Sequence, residues 1–225
     1  MKVILFGASG MVGQGALREC LQAPDVEKVL SVSRRPLGGP GHPKLEELVH
    51  EDLSDLTAVE GRLSGYDACF FCVGVTSAGL SEEAYRKVTV GLTLAAARPL
   101  ARLNPRMTFV FVSGMGADST GTSRTMWARV KGEAENAVLA LPFRAAYVFR
   151  PAFIRPLHGI QSRTRAYRVL YPVLAPFVPL LERVAPGVMT TTEAVGRAML
   201  EAVRHGAPKR VLENADVHAL GTRAG

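Results

Sequence analysis

Runs of apolar residues alternate with amphipathic stretches from the N-terminus onward. KVILF (2–6) is continuously apolar, the pattern of a parallel strand covered on both faces. Helical periodicity follows from about Met11 to Leu21, and Pro24 stops it. KVLSVS (28–33) predicts a second strand, RPLGGPGHP a loop, and LEELVHEDL a short third strand. Ser54 is placed to cap a helix running to about Leu63. ACFFCVG predicts strand four, and Ser81 with Glu83 and Ala84 opens a long helix to about Leu103. MTFVFVS (107–113) predicts strand five, a helix follows from about Thr122 to Leu141, and AAYVFRP forms strand six. TTTEAVGRAMLEAVRHG closes the pattern as a helix with Thr191 or Thr192 as cap and Gly206 as stop.

This alternation implies an α/β architecture: a doubly wound parallel sheet of the Rossmann type, with right-handed crossovers. The 225 residues, 48% hydrophobic and 21% charged, suit one domain with a good-sized core, here residues 1–225. Residues 152–190 break the alternation. Their prolines rule out one long helix, and they form an irregular segment placed to complete a substrate pocket. Burial of Leu170, Val173, Leu174, Phe177, Val178 and Leu180 within the domain ranks above contact with a membrane surface.

No apolar run is long enough to span a bilayer, and MKVILFGASG reaches its glycines too early for a signal peptide. A cytosolic protein is the expectation. Cys69 and Cys72 have C-x-x-C spacing, but three residues along a strand point to opposite faces, so they read as buried thiols, with no metal site expected. The formal charge of +7 is carried without zinc-finger spacing, RNP-type aromatics or a lysine-rich run. It points away from nucleic acid and toward a cofactor phosphate and a small-molecule substrate, anionic or partly apolar. Between Glu135 and Glu182 no acidic residue occurs, while Arg144, Arg150, Arg155, Arg163, Arg165, Arg168 and His158 do.

GASGMVG (7–13) follows strand one directly and opens a helix. Gly7 permits the tight turn, Gly10 lets backbone approach a pyrophosphate, and Gly13 lets the helix pack against the sheet. The pyrophosphate would rest on the helix N-terminus, with Ser9, Met11 and Val12 completing the loop. Strand two ends in SVSRRP. Arg34 and Arg35 offer two guanidiniums and no carboxylate, which suits a 2′-phosphate. The expected cofactor is therefore NADP(H) ahead of NAD(H).

The spacing G-x-x-G-x-x-G resembles the short-chain dehydrogenase/reductase superfamily, in its extended and atypical branches. KGEAE after Lys131 and RPAFI after strand six are similar to segments of the atypical branch, which includes NmrA-type, Tat-interacting oxidoreductase-like and epimerase-dehydratase-like proteins. The resemblance covers about residues 1–155. It implies that Asp52 and Leu53 meet the adenine, that Val73 and Gly74 pass along the adenine ribose, and that Pro151 and Phe153 adjoin the nicotinamide amide. It also implies that Ser113 orients a substrate carbonyl and that Lys131 holds the nicotinamide ribose.

Trp127 is the departure. The superfamily places a tyrosine one helical turn before the lysine, where positions i and i+4 share a face, and that phenol gives the proton. An indole N–H donates a hydrogen bond but releases no proton near neutral pH. Three expectations compete. Reduction continues with Ser113, Ser123, Thr125 or water as proton source, and Trp127 lines the nicotinamide pocket. Or the acceptor is a quinone or flavin, which needs little help with protonation. Or the chain senses NADP(H) without turnover. Packing is the plain alternative for Trp127 itself. Tyr147, Tyr85, Tyr167, Tyr171 and His158 are weaker candidates for the acid.

Overall fold

The structure is a computed structural model that describes residues 1–160 and 187–223. Seven strands form one sheet: β1 (Lys2–Phe6), β2 (Lys28–Ser33), β3 (Leu45–Val49), β4 (Ala68–Phe71), β5 (Thr108–Val112), β6 (Ala145–Arg150) and β9 (Val211–Glu213). Their order is β3-β2-β1-β4-β5-β6-β9, and every pairing is parallel. The strand order reverses between β1 and β4, and in open α/β sheets that switch point is where a crevice opens at the strands' C-terminal ends.

The continuously apolar strands are explained by coverage on both faces. Within β1, Val3 and Leu5 belong to one core layer while Ile4 and Phe6 belong to the other. The same alternation sends Cys69 into the second layer and turns Cys72 toward the first, as strand spacing predicted for C-x-x-C. Phe71 anchors the Ile4 layer, with ring centroids 5.5 Å from Phe6, 6.2 Å from Phe109 and 6.1 Å from Phe111.

On the Val3 face lie α1 (Met11–Gln22), α5 (Thr192–Arg204) and α6 (Asn214–Thr222). Glycines set their close approach. A Cβ on Gly15 would stand 2.5 Å from the Thr192 carbonyl oxygen, and one on Gly221 would stand 1.9 Å from that of Ala194. Buried Glu19 receives the Arg197 guanidinium at 3.1 Å, tying α1 to α5. The opposite face carries α2 (Glu82–Arg86), α3 (Leu92–Leu103) and α4 (Met126–Leu139).

Four elements differ from expectation. The helix expected from Ser54 is only a 3-10 turn, Thr57–Arg62, because Ser54 turns back to the Asp52 carboxylate through N–H and hydroxyl. The long helix from Ser81 is broken by a π-type turn at Lys87–Gly91, where β-branched residues and a glycine weaken helix propensity. Helix α4 starts at Met126, four residues late, because the Asp118 carboxylate takes the N–H groups of Thr120 and Ser123 and the Thr120 hydroxyl, holding that stretch as a loop. Within the segment expected to be irregular, β7 (Phe153–Arg155) and β8 (Met189–Thr191) pair as a parallel ribbon. The cationic and apolar positions from Arg163 to Leu180, with Tyr167 and Tyr171, lie outside the described residues.

Candidate functional site

A cleft opens at the C-terminal ends of β1, β2, β4 and β5. Its walls include the Gly7–Val12 loop, Val32 to Arg34, Leu53, Cys72 to Val75, Ser113 and Lys131, around a cavity of about 410 Å³. A second cavity of about 650 Å³ shares Ser9, Ser33 and Arg34 and adds Arg35 and Glu51. The two form one continuous groove from Lys131 to the arginine pair.

The glycines divide by what each would strike. Gly7 has φ +81°, and its Cβ would stand 2.7 Å from the Cys72 carbonyl carbon. A Cβ on Gly13 would stand 2.0 Å from the Gly7 oxygen. The fold itself demands glycine at both. Gly10 is different: its Cβ would meet only the Gly7 oxygen, at 3.4 Å. Nothing in the polypeptide requires glycine there, so its bareness leaves the groove floor open to a close ligand. Gly10 is also the N-cap of α1 and has no side chain to cap the first turn. An anion fits an uncapped helix start that faces a groove.

At the other end stand a buried hydroxyl without a partner and a lysine ammonium. Ser113 Oγ is buried and has no hydrogen-bond partner, while its N–H is fixed on the Phe149 carbonyl at 2.8 Å. Lys131 Nζ forms no hydrogen bond or ion pair among the described residues and lies 5.3 Å over the Phe111 ring. Burial lowers its pKa to about 8, and the Glu135 carboxylate opposes that shift only in part. Buried polar groups without partners are rare in folded proteins. The Ser113 hydroxyl, with the Lys131 ammonium lining the same cleft, fits a ligand that supplies its partner.

The K-G-E-A-E segment has a structural logic of its own. A Cβ on Gly132 would stand 1.8 Å from the Asp118 oxygen, so α4 can lie against the β5–α4 loop only with glycine there. Glu135 is fully buried and takes Arg150 through two nitrogens, at 3.0 and 2.5 Å, with Ser119 as a further partner of both. Arg150 also reaches Glu213, and these carboxylates hold its guanidinium well above the usual range. Thus KGEAE and RPAFI are two halves of one ion pair, which fixes α4 and therefore Lys131 against β6. Arg150, from the acid-free stretch, is committed inside the fold.

The groove gathers Gly7, Ser9, Gly10, Met11, Val12, Leu53, Val73, Gly74, Ser113 and Lys131, with Arg34 and Arg35 at its far end. Other expected residues stand off its walls. Asp52 is exposed, and its carboxylate is engaged by Ser54, which holds it below the usual range. Gly13 is buried beneath the loop. The Pro151 carbonyl accepts the Met115 N–H at 3.0 Å, and Phe153 sits in the β7–β8 ribbon. Trp127 shares a face of α4 with Lys131, but its ring packs on the core layer of Ile4 and on the loop at Gly116, where a Cβ would stand 3.5 Å from Cη2. The packing alternative describes this position.

None of the three described tyrosines walls the groove. Tyr66 and Tyr85 are buried, and the Tyr147 hydroxyl accepts the Ala207 N–H at 3.2 Å. His158 has φ +57° and binds Glu193 at 2.6 Å, also off the groove.

Two positioning residues escaped the sequence reading. Asn214 accepts from the Ala152 N–H and donates to the Gly187 carbonyl, each at 2.9 Å, pinning both approaches to the β7–β8 ribbon. Its signal was the E-x-x-D capping box of Glu213 and Asp216. Glu51, beside the arginine pair, left no sequence signal.

The parallel sheet, its order and the glycine loop define a short-chain dehydrogenase/reductase-type Rossmann fold. Solved structures agree on the fold. WbmF of Bordetella bronchiseptica, in complex with NAD+, superposes with TM-score 0.68 at 17% identity over 99% of this chain and 77% of that one. DesIV, a dTDP-glucose 4,6-dehydratase from Streptomyces venezuelae with NAD and TYD bound, gives 0.68 at 16% identity over 99% and 80%. No family model matches the chain. Among curated relatives, leucinostatins biosynthesis cluster protein T of Purpureocillium lilacinum is 32% identical over 122 residues, 53% of this chain and 45% of that protein. The mitochondrial protein FMP52 of Saccharomyces cerevisiae is 30% identical over 168 residues, 73% of this chain and 69% of that protein. Its Aspergillus fumigatus counterpart is 35% identical over 158 residues, 68% and 66%. The chain belongs to the FMP52 family. It spans less than half of the leucinostatin-cluster protein and about two thirds of the FMP52 proteins.

These relatives correct the cytosolic expectation, because the FMP52 proteins are named mitochondrial. That expectation rested on missing signals, and a missing signal does not name a compartment.

Proposed function

We propose that this chain binds NADP(H) along the groove and uses it to reduce a carbonyl, quinone or flavin-like acceptor, in a mitochondrial setting like that of its named relatives. One observation carries the reading. The orphaned Ser113 hydroxyl and the Lys131 ammonium, unpartnered among the described residues, line the same cleft as the bare Gly10 floor. The uncapped start of α1 would take the pyrophosphate. Leu53, Val73 and Gly74 would border the adenosine. Arg34 and Arg35, exposed and with no ion pair among the described residues, would take the 2′-phosphate against the single opposing charge of Glu51. When bound, a reduced nicotinamide supplies a hydride. Ser113 then orients the acceptor oxygen, and Lys131 offers its ammonium to the ribose hydroxyls and to charge developing nearby.

Trp127 favours a second reading. Because its ring packs on Gly116 and no described tyrosine walls the groove, a regulator that binds NADP(H) without turnover would need the same structure. The test is oxidation of NADPH, followed by absorbance, with 4-nitrobenzaldehyde, 9,10-phenanthrenequinone and FMN offered in turn. Enzymatic turnover of any of them supports the reductase. Tight NADPH binding with none reduced supports the regulator.

A further inference from the structure

With the phenol's place taken by an indole, the groove needs another source for the proton that an acceptor oxygen takes on reduction. The groove walls limit the choice among the described residues. In the cavity that holds Ser113 and Lys131, the side chains bearing an exchangeable proton are Ser9, Ser33, Arg34, Cys72, Ser113 and Lys131. Arg34 stays protonated at any working pH. Burial pushes the Cys72 thiol up to about 12. Ser33 gives its hydroxyl proton to the Arg35 carbonyl at 2.7 Å, and Ser9 lies in the glycine loop. Ser113 is placed to donate a hydrogen bond, but an alcohol is a far weaker acid than an ammonium. Ser123, Thr125 and His158 stand off the groove walls, where Ser123 Oγ accepts the Thr125 N–H and His158 is bound to Glu193.

We propose that Lys131 is itself the proton donor of this site, its ammonium protonating the acceptor oxygen that Ser113 Oγ positions. This rests on the reductase reading above. In the step, hydride adds to the carbonyl carbon and the nicotinamide is oxidised. The C=O π pair moves to oxygen, one N–H bond of Lys131 breaks as the O–H bond forms, and the neutral amine takes a proton back from water. The product is an alcohol, and the lysine ends as it began.

The surroundings suit the task. Among the described residues no carboxylate hydrogen-bonds the ammonium, so none of them holds its proton. Glu135, whose charge acts on Lys131, is paired with Arg150. The Asp118 carboxylate on the adjoining loop is spent on Thr120 and Ser123. Burial has brought Lys131 to about 8, close to a neutral working pH, where a general acid is most effective. An ordinary lysine, near 10.5, would hold its proton too firmly.

The test compares wild type, Lys131→Arg, Trp127→Tyr, Tyr167→Phe and Tyr171→Phe in NADPH-dependent reduction of 4-nitrobenzaldehyde over a range of pH. Wild-type kcat should fall as pH rises through about 8. Lys131→Arg keeps the charge but cannot give up its proton, so it should lose about 10² to 10⁴ in kcat, while NADPH affinity falls by less than about tenfold. Trp127→Tyr, at a position packed off the groove walls, should leave the descending limb in place. Independently of turnover, competitive acetylation of the apo protein with acetic anhydride, read by mass spectrometry, should show Lys131 titrating near 8. An ordinary lysine titration there, an unchanged kcat and limb in Lys131→Arg, or a limb that moves in either Tyr→Phe variant instead, overturns the proposal. Reduction of phenanthrenequinone but not of the aldehyde overturns it and leaves the reductase reading standing. NADPH binding with no acceptor reduced sinks both.

Discussion

Replacing Lys131 by methionine should make the apo protein more stable at neutral pH, and the gain should vanish in alkali. The ammonium lies over the Phe111 ring with no hydrogen-bonding carboxylate among the described residues, and burial takes its pKa from the ordinary 10.5 to about 8. Below 8 the group is charged in both folded and unfolded chains, and burying the charge costs stability in full. As pH rises from 8 past 10.5 the folded chain, then the unfolded chain, loses the proton, and the cost disappears. A shift of this size corresponds to about 3 kcal/mol. Methionine has similar length and no charge, so any packing gain it brings is the same at every pH. Urea unfolding of wild type and Lys131→Met at pH about 7 and about 10.5 separates the two effects. The account predicts an advantage for the variant of about 3 kcal/mol at the lower pH, mostly gone at the higher. A variant that is destabilised equally at both would refute the reasoning, because the ammonium would then be well solvated or paired.

Gly10→Ala should leave the melting temperature unchanged and weaken NADPH binding, while Gly13→Ala, whose Cβ has the Gly7 oxygen 2.0 Å away, should unfold at lower temperature; thermal scans with and without NADPH check both. Arg150→Met strands the Glu135 carboxylate in the core and should cost about 3 to 5 kcal/mol in urea unfolding. Adding Glu135→Leu to it should recover most of that loss, whereas a double variant as unstable as the single would show that the ion pair is not what the site lacks.

The sheet was legible because its strands are apolar throughout and its helices periodic, and β1, β2 and the α1 start stand where the pattern put them. The groove was legible for a related reason: glycine spacing is dictated by close approach, and GASGMVG follows a strand. Short-range polar chemistry was harder to read. D-S-T-G-T-S could have opened a helix, but the Asp118 side chain claims those N–H groups first. The β7–β8 ribbon has three residues a strand, too few for any period to show. The fate of Trp127 depended on Gly116, eleven positions away and brought beneath the ring only by the loop. The Glu135–Arg150 pair lay in view as KGEAE and RPAFI, yet no spacing rule joins residues on a helix and the strand that follows it.

The central claim is dinucleotide binding with a preference set by the arginine pair. Calorimetric titration of the protein with NADPH and with NADH, repeated for the Arg34→Ala/Arg35→Ala double variant, tests it directly. The account predicts tighter binding of NADPH by the wild type, and a loss in the variant of at least about tenfold for NADPH with little change for NADH. Equal losses for the two cofactors would contradict the preference, and no binding of either would contradict the function proposed for the groove.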